Sequence, residues 1–147
     1  MYIPPFDSLL KALGATRKEF NRVDQITLPV PLLKILLQMA NAASDFNEIG
    51  YLRENPDIAA AVKTGEIQSA KMHYIGFGYF EGRLGAIPEV DVPWYLESNP
   101  DVADAVEQQK VGSASEHFNV VGAGEGRSPS KKYETVAAQW KKVLVRD

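Results

Sequence analysis

The sequence predicts an all-α fold: two tandem three-helix repeats of period 44, flanked by N- and C-terminal helices. Three observations predict it. Residues 46–85, FNEIGYLRENPDIAAAVKTGEIQSAKMHYIGFGYFEGRLG, return without a gap forty-four positions later, at 90–129, as VDVPWYLESNPDVADAVEQQKVGSASEHFNVVGAGEGRSP. A period of this size marks a repeat architecture. Helix-start signals, Asn-Pro-Asp and Ser-Ala, recur at the same places in both copies, with apolar residues behind them at helical spacing. No segment shows the apolar alternation of a half-buried strand.

These signals set expected boundaries. Residues 1–44 form an N-terminal helical cap or docking segment, 45–89 the first repeat, 90–129 the second, and 130–147 a C-terminal capping helix. The 147 residues fit one compact domain overall. The apolar fraction of 45% and charged fraction of 24% are ordinary for a soluble protein. Net charge is −3 with acids and bases interspersed, so there is no basic face for nucleic acid. Without cysteine, disulfides and thiolate metal sites are excluded. The start, MYIPPFDSLL, lacks the basic and apolar regions of a Sec signal. The run Leu28–Ala40, broken by Pro29, Pro31, Lys34 and Gln38, is too short to span a bilayer. A soluble chain made in the cytoplasm is expected, with release inside a particle left open.

In chain order, Asp7 or Ser8 is expected to cap a short helix through Leu13, with Gly14 ending it. A second helix is expected from Thr16 to about Val23, with Arg17, Lys18 and Glu19 facing water. Beyond Pro29 and Pro31, Leu32, Leu33, Ile35, Leu36, Leu37, Met39 and Ala40 predict a helix apolar nearly all round. Such a helix is central to a core or buried against a partner. In each repeat the first helix starts at Asp45 or near Asp91 and turns Tyr51-Leu52 or Tyr95-Leu96 inward. Asn55 and Asn99 are expected to cap the second helix. Pro56 and Pro100 follow at its first position, and Asp57 and Asp101 complement its positive end. Gly65 is a left-handed stop, where the second copy has Gln109. Ser69 and Ser113 cap the third helix, which Gly78 and Gly122 are expected to close. After Pro129, Tyr133, Val136, Ala137, Trp140, Val143 and Leu144 share one face of a last helix, with Lys131, Lys132, Lys141 and Lys142 outside it. Residues 1–44 and 130–147 then act as the caps of a short solenoid, or as docking elements.

The pattern Tyr-Leu-x-x-Asn-Pro-Asp-Ile/Val-Ala-x-Ala-Val, Ser-Ala-x-x-His-Tyr/Phe, Gly-x-x-Glu-Gly-Arg resembles a tandem module of bacterial proteins. It is similar to repeats appended to glycosyltransferases of the rhamnan-synthesis type, and to repeats of surface proteins with hemolysin-type calcium-binding arrays. The resemblance covers roughly residues 45–129, and residues 1–44 carry no part of it. It implies a non-catalytic accessory module linked to cell-surface polysaccharide or adhesion. It brings neither a transferase domain nor the glycine- and aspartate-rich array that would bind calcium.

Candidate chemistry centres on the repeated positions Asn55, Asp57, His73 and Arg83, with Asn99, Asp101, His117 and Arg127. Two histidines forty-four residues apart lack the close spacing of a metal site. The structural reading has each imidazole hydrogen-bonding within its repeat, at the Glu-Gly-Arg turn. Glu81/Arg83 and Glu125/Arg127 read either as a ligand-binding pair or as a lock in which Arg bridges carbonyls at a helix C-terminus. No pair of acids stands out as flanking a cleft. Where the copies differ, one copy alone can serve a partner. Phe77, Tyr79 and Phe80 near Arg83, and Trp94 where the first copy has Gly50, suit a protein hot spot or sugar stacking, or pack against the flanking helices. Leu33, Leu36 and Leu37 are the docking candidates of the apolar helix.

The function expected is a non-enzymatic assembly or adhesion module, without cofactor or metal. It docks on a larger protein assembly or a second copy, in a surface-polysaccharide-linked system. Two alternatives are a spike or fibre adaptor of a phage-like particle and a direct carbohydrate-binding module.

Overall fold

A computed structural model describes residues 2–86 and 89–144. These residues form ten α-helices, two π-helical turns and a 3-10 turn, with no strand among them, so the protein is all-α. Residues 1, 87, 88 and 145–147, which the expected segment boundaries include, lie outside the described residues. Where one compact domain is expected, the chain divides into two compact units, Met1–Ser44 and Asp45–Asp147.

In the first unit, α1 (Phe6–Ala12) begins one residue before Asp7, so neither Asp7 nor Ser8 caps it. Asp7 instead takes a forked ion pair from Arg17, Nε at 2.6 Å and an Nη at 2.8 Å, while the Arg17 side chain stays exposed, as expected of it. Gly14, at φ +65°, follows the end of α1. The helix α2 (Arg17–Phe20) is shorter than expected and stops before Val23. Thr16 caps it in a reciprocal box with Glu19, whose backbone N–H donates to the Thr16 hydroxyl at 3.3 Å. The helix α3 (Val30–Ala43) starts ahead of Pro31, because a proline in the first turn forfeits no intrahelical bond. Leu10 is the buried residue of this unit, and α3 has none.

The second unit begins with α4 (Glu48–Glu54), capped by Asn47 rather than Asp45: the Asn47 side chain accepts from Gly50 N–H at 2.9 Å. Then come α5 (Pro56–Thr64) and α6 (Ala70–His73), the latter running on into a π-helical turn, Tyr74–Gly78. The elements return as α7 (Val92–Ser98), α8 (Pro100–Glu107), α9 (Ala114–His117) and a second π turn, Phe118–Gly122. Starts at 48 and 92, 56 and 100, 70 and 114, and 74 and 118 all stand forty-four residues apart. Ser69 and Ser113 cap α6 and α9, accepting from Met72 and Glu116 N–H at 3.1 Å. Gly65 and Gln109 both adopt left-handed backbone, at φ 78° and 57°.

Gly78 and Gly122 are not the left-handed stops expected of them. They lie inside the π turns, and the left-handed residues are Gly82 and Gly126. Their small size serves another need: a Cβ at Gly78 would overlap the Tyr51 hydroxyl, and one at Gly122 the Tyr95 hydroxyl.

Each repeat closes on itself. Tyr51, Ile58, Ala70 and Ala86 form one core, with Phe46, Leu52, Val62 and Tyr74 packed around it. Tyr95, Val102, Ala114 and Phe118 form a second. Among the described residues none belongs to both, so these residues form two separate cores. The Asn47 N–H donates to Ala86 carbonyl at 3.1 Å, and Asp91 N–H to Pro129 carbonyl at 3.0 Å, joining each repeat's start to its end. After the 3-10 turn Lys131–Tyr133 comes α10 (Glu134–Leu144). Lys132 Nζ lies 2.7 Å from Asp45, and the Tyr133 hydroxyl donates to the same carboxylate, so the residues after the second repeat clasp the residue that opens the first. Lys141 is exposed, as expected, with its Cα and Cβ beside Gly126, whereas Val136, Trp140, Val143 and Leu144, expected to share a packed face, are exposed as well.

Candidate functional site

The repeated residues assemble into one constellation, built twice. Tyr51 descends from α4 into the first core, fully buried, and its hydroxyl reaches His73 Nδ1 at 3.0 Å. Tyr95 and His117 repeat this at 3.0 Å. The histidine's partner is thus a tyrosine hydroxyl, not backbone at the Glu-Gly-Arg turn. Burial pushes the Tyr51 and Tyr95 hydroxyls up from the usual tyrosine range, and Tyr74 up to about 12, so these phenols remain proton donors at neutral pH. Each imidazole pairs with the tyrosine of its own repeat. Among the described residues, no group of three or more His, Cys, Asp or Glu is placed to hold a metal ion.

Asn55 and Asn99 hold the N-cap positions of α5 and α8 by backbone but make no cap bond with their side chains. The side-chain amide of Asn55 donates back to Tyr51 carbonyl at 2.7 Å and across to Leu84 carbonyl at 3.0 Å. Asn99 donates to Tyr95 carbonyl at 2.7 Å. The physical reason is that both ends of the amide are engaged elsewhere: its NH2 donates to a carbonyl of α4 or α7, and its oxygen, the atom a cap bond would need, accepts from an arginine, a charge-assisted bond stronger than one to a neutral N–H. The amide oxygens accept from Arg83 at 3.3 Å and Arg127 at 2.9 Å.

Arg83 and Arg127 lock carboxylates rather than helix carbonyls, which corrects the expected partner. Arg83 binds Glu81 at 2.7 Å and Asp57 at 2.8 Å. Arg127 binds Glu125 at 2.7 Å and grips Asp101 with two nitrogens, at 2.9 and 2.7 Å. The guanidinium hydrogen bonds hold the Asp57 carboxyl below the usual range and bring Asp101 down to about 2. Every acid of these pairs is already engaged by an arginine, so the constellation acts chemically as a brace between the Glu-Gly-Arg turn and the start of the second helix.

The unduplicated aromatics divide. Phe77 is 63% exposed and stands beside the His73 ring at 5.9 Å. Tyr79 and Phe80 are exposed and pack edge-to-face on one another at 5.3 Å, with Tyr79 on Tyr74 at 5.9 Å. Trp94 does not face outward: it packs against the second core. Gly50 stands at the equivalent place in the first repeat because a Cβ there would meet the Gly85 carbonyl at 2.7 Å. On α3, Leu33 is 41%, Ile35 54% and Leu36 37% exposed, while Leu37 is half-buried.

One feature escapes the sequence reading. A cleft of about 370 Å³ opens between the repeats. The first repeat lines it with Asn47, Arg53, Glu54 and Leu84, and the second with Ser115 and Asn119. Its only trace in the sequence is that each of these positions differs from its counterpart in the other copy.

No family model matches the chain, and neither a curated protein nor a solved structure matches it significantly. No helix among the described residues is long and apolar enough to cross a membrane.

Proposed function

We propose that the protein is a non-enzymatic helical-repeat module that docks on a larger protein assembly, with α3 as its docking element. The single observation that supports this is the condition of α3. It is fourteen residues long, carries Lys34 as its one charged side chain, and buries none of its residues. Leu33, Ile35 and Leu36 are left in water, and each would gain roughly 1–2 kcal/mol from burial. A helix of this composition is stable when a partner covers it. The second unit suits a scaffold: the repeated residues Asn55, Asp57, His73 and Arg83, and Asn99, Asp101, His117 and Arg127, are engaged in bracing each repeat. The resemblance of residues 45–129 to modules of surface-polysaccharide proteins makes a cell-surface assembly the setting we favour.

Co-purification from the native source tests the reading, with the unaltered chain compared against a Leu33→Glu/Leu36→Glu variant. The expected result is a defined companion retained by the first and lost by the second, with the circular-dichroism melt unchanged. A companion retained by both, or none retained by the unaltered chain, overturns it.

A further inference from the structure

We propose that the cleft between the two repeats is a binding site for a neutral polyhydroxylated ligand of mono- to disaccharide size. Its volume, about 370 Å³, lies within the usual range of small-molecule sites. Its lining is mixed. Arg53 and Asn47 supply N–H donors, Glu54 and Glu89 supply carboxylate acceptors, and Ser115 and Asn119 supply both. A hydroxyl both donates and accepts, so a ligand rich in hydroxyls matches such a wall, whereas a cation would meet the like charge of Arg53 and an anion the like charge of Glu54 and Glu89. Arg53 and Glu54 are already paired with each other at 3.1 Å. No hydrogen bond or ion pair to a described residue engages the Ser115, Asn119 or Glu89 side chains, which leaves them available. Leu84 and Val90 give the cleft an aliphatic side for the C–H face of a sugar ring.

The second observation is the pattern of difference between copies. The braced positions are identical in both repeats. In the cleft, Arg53 stands against Glu97 of the other copy, Glu54 against Ser98, Leu84 against Ser128, Ser115 against Lys71 and Asn119 against Ile75. The fold tolerates either residue at each place, so packing does not dictate the choice made here. The inference stands apart from the docking reading, since it uses no residue of α3.

The test is a chemical-shift titration of the full-length ¹⁵N-labelled protein with glucose, galactose, maltose and lactose, with spermidine and glucuronate as charged probes. The expected result is saturable shifts at Arg53, Ser115 and Asn119 with at least one neutral sugar. Ser115→Lys/Asn119→Ile, which installs what the first repeat carries, should weaken that binding at least about tenfold. Asn119→Ala gives the same reading should the double variant fold poorly. The Leu33→Glu/Leu36→Glu chain should bind the sugar unchanged, which separates failure of the docking reading from failure of this one. No saturable shift with any of the four sugars overturns the proposal. So do shifts centred on Phe77–Phe80, preference for a charged probe, or affinity indifferent to the cleft variants.

Discussion

The Tyr51 hydroxyl stands 3.0 Å from His73 Nδ1, and Gly78 leaves the space in which it stands. Tyr95, His117 and Gly122 reproduce the arrangement at the same distance. Each tyrosine is fully buried, so its hydroxyl has no water to fall back on, and the imidazole is the partner that makes its burial tolerable.

Removing the hydroxyl and removing its imidazole partner should therefore differ. Tyr51→Phe is expected to cost about 1 kcal/mol, because the buried hydroxyl and its need for a partner vanish together. His73→Ala strands a buried hydroxyl and should cost roughly 2–3 kcal/mol, including lost ring contact. Urea denaturation of both variants, and of the corresponding pair at Tyr95 and His117, checks this. Equal costs would mean the bond contributes nothing of its own.

Crowding at Gly78 gives a second expectation. Gly78→Ala and Gly122→Ala should each destabilise by about 1–3 kcal/mol, because the added methyl collides with a tyrosine held in place. Gly76→Ala, two residues away and open on all sides, should be tolerated. Pairing Gly78→Ala with Tyr51→Phe should recover part of the loss, so the two changes should be non-additive in a double-mutant cycle.

Gln109 is the non-glycine residue of the described chain at positive φ, at 57°, where the first repeat has Gly65 at 78°. Gln109→Gly should raise stability by roughly 0.5–1 kcal/mol, and Gly65→Ala should lower it by a similar amount. Thermal melts of the two variants should move in opposite directions.

The grip of Arg127 on Asp101 sets a pH dependence. The folded carboxyl titrates near 2 against an ordinary 3.8. A depressed folded value means the stabilisation is complete above about pH 4 and is lost as the pH falls toward 2. Because the Asp101 side chain is 62% exposed, solvent screening keeps the effect to about 1 kcal/mol. The urea midpoint of Asp101→Asn should lie below that of the unaltered chain at pH 6, and the gap should close by pH 2. A gap that persists at pH 2 would show the pair to matter through shape, not charge.

The helices and most of their starts were legible because they depend on neighbours in the chain. Ser69 and Ser113 cap as expected because a hydroxyl reaches an N–H three residues on, wherever the helix lies. Pro93 sits in the first turn of α7, and Gly65 takes the left-handed stop, for equally local reasons. Asn55 and Asn99 were misread in one respect: the cap position was clear, but the side-chain oxygen that would accept a helix N–H accepts instead from an arginine twenty-eight residues on.

Long-range partners were another matter. That Arg83 would bind Asp57 twenty-six positions back, or that Gly78 is small for the sake of a tyrosine hydroxyl, follows only once two helices have been brought together. The same holds for Trp94, an aromatic that pattern places equally well in a core or on a surface.

Local chemistry, then, wrote the all-α class, the element order and the duplicated motif directly into the chain, since caps, prolines and apolar spacing act within a few residues. Whether the copies merge or close separately depended on where each buried tyrosine finds its hydrogen bond. Both found it at home, and with that contact came two independent cores and, between them, a cleft that no stretch of sequence contains.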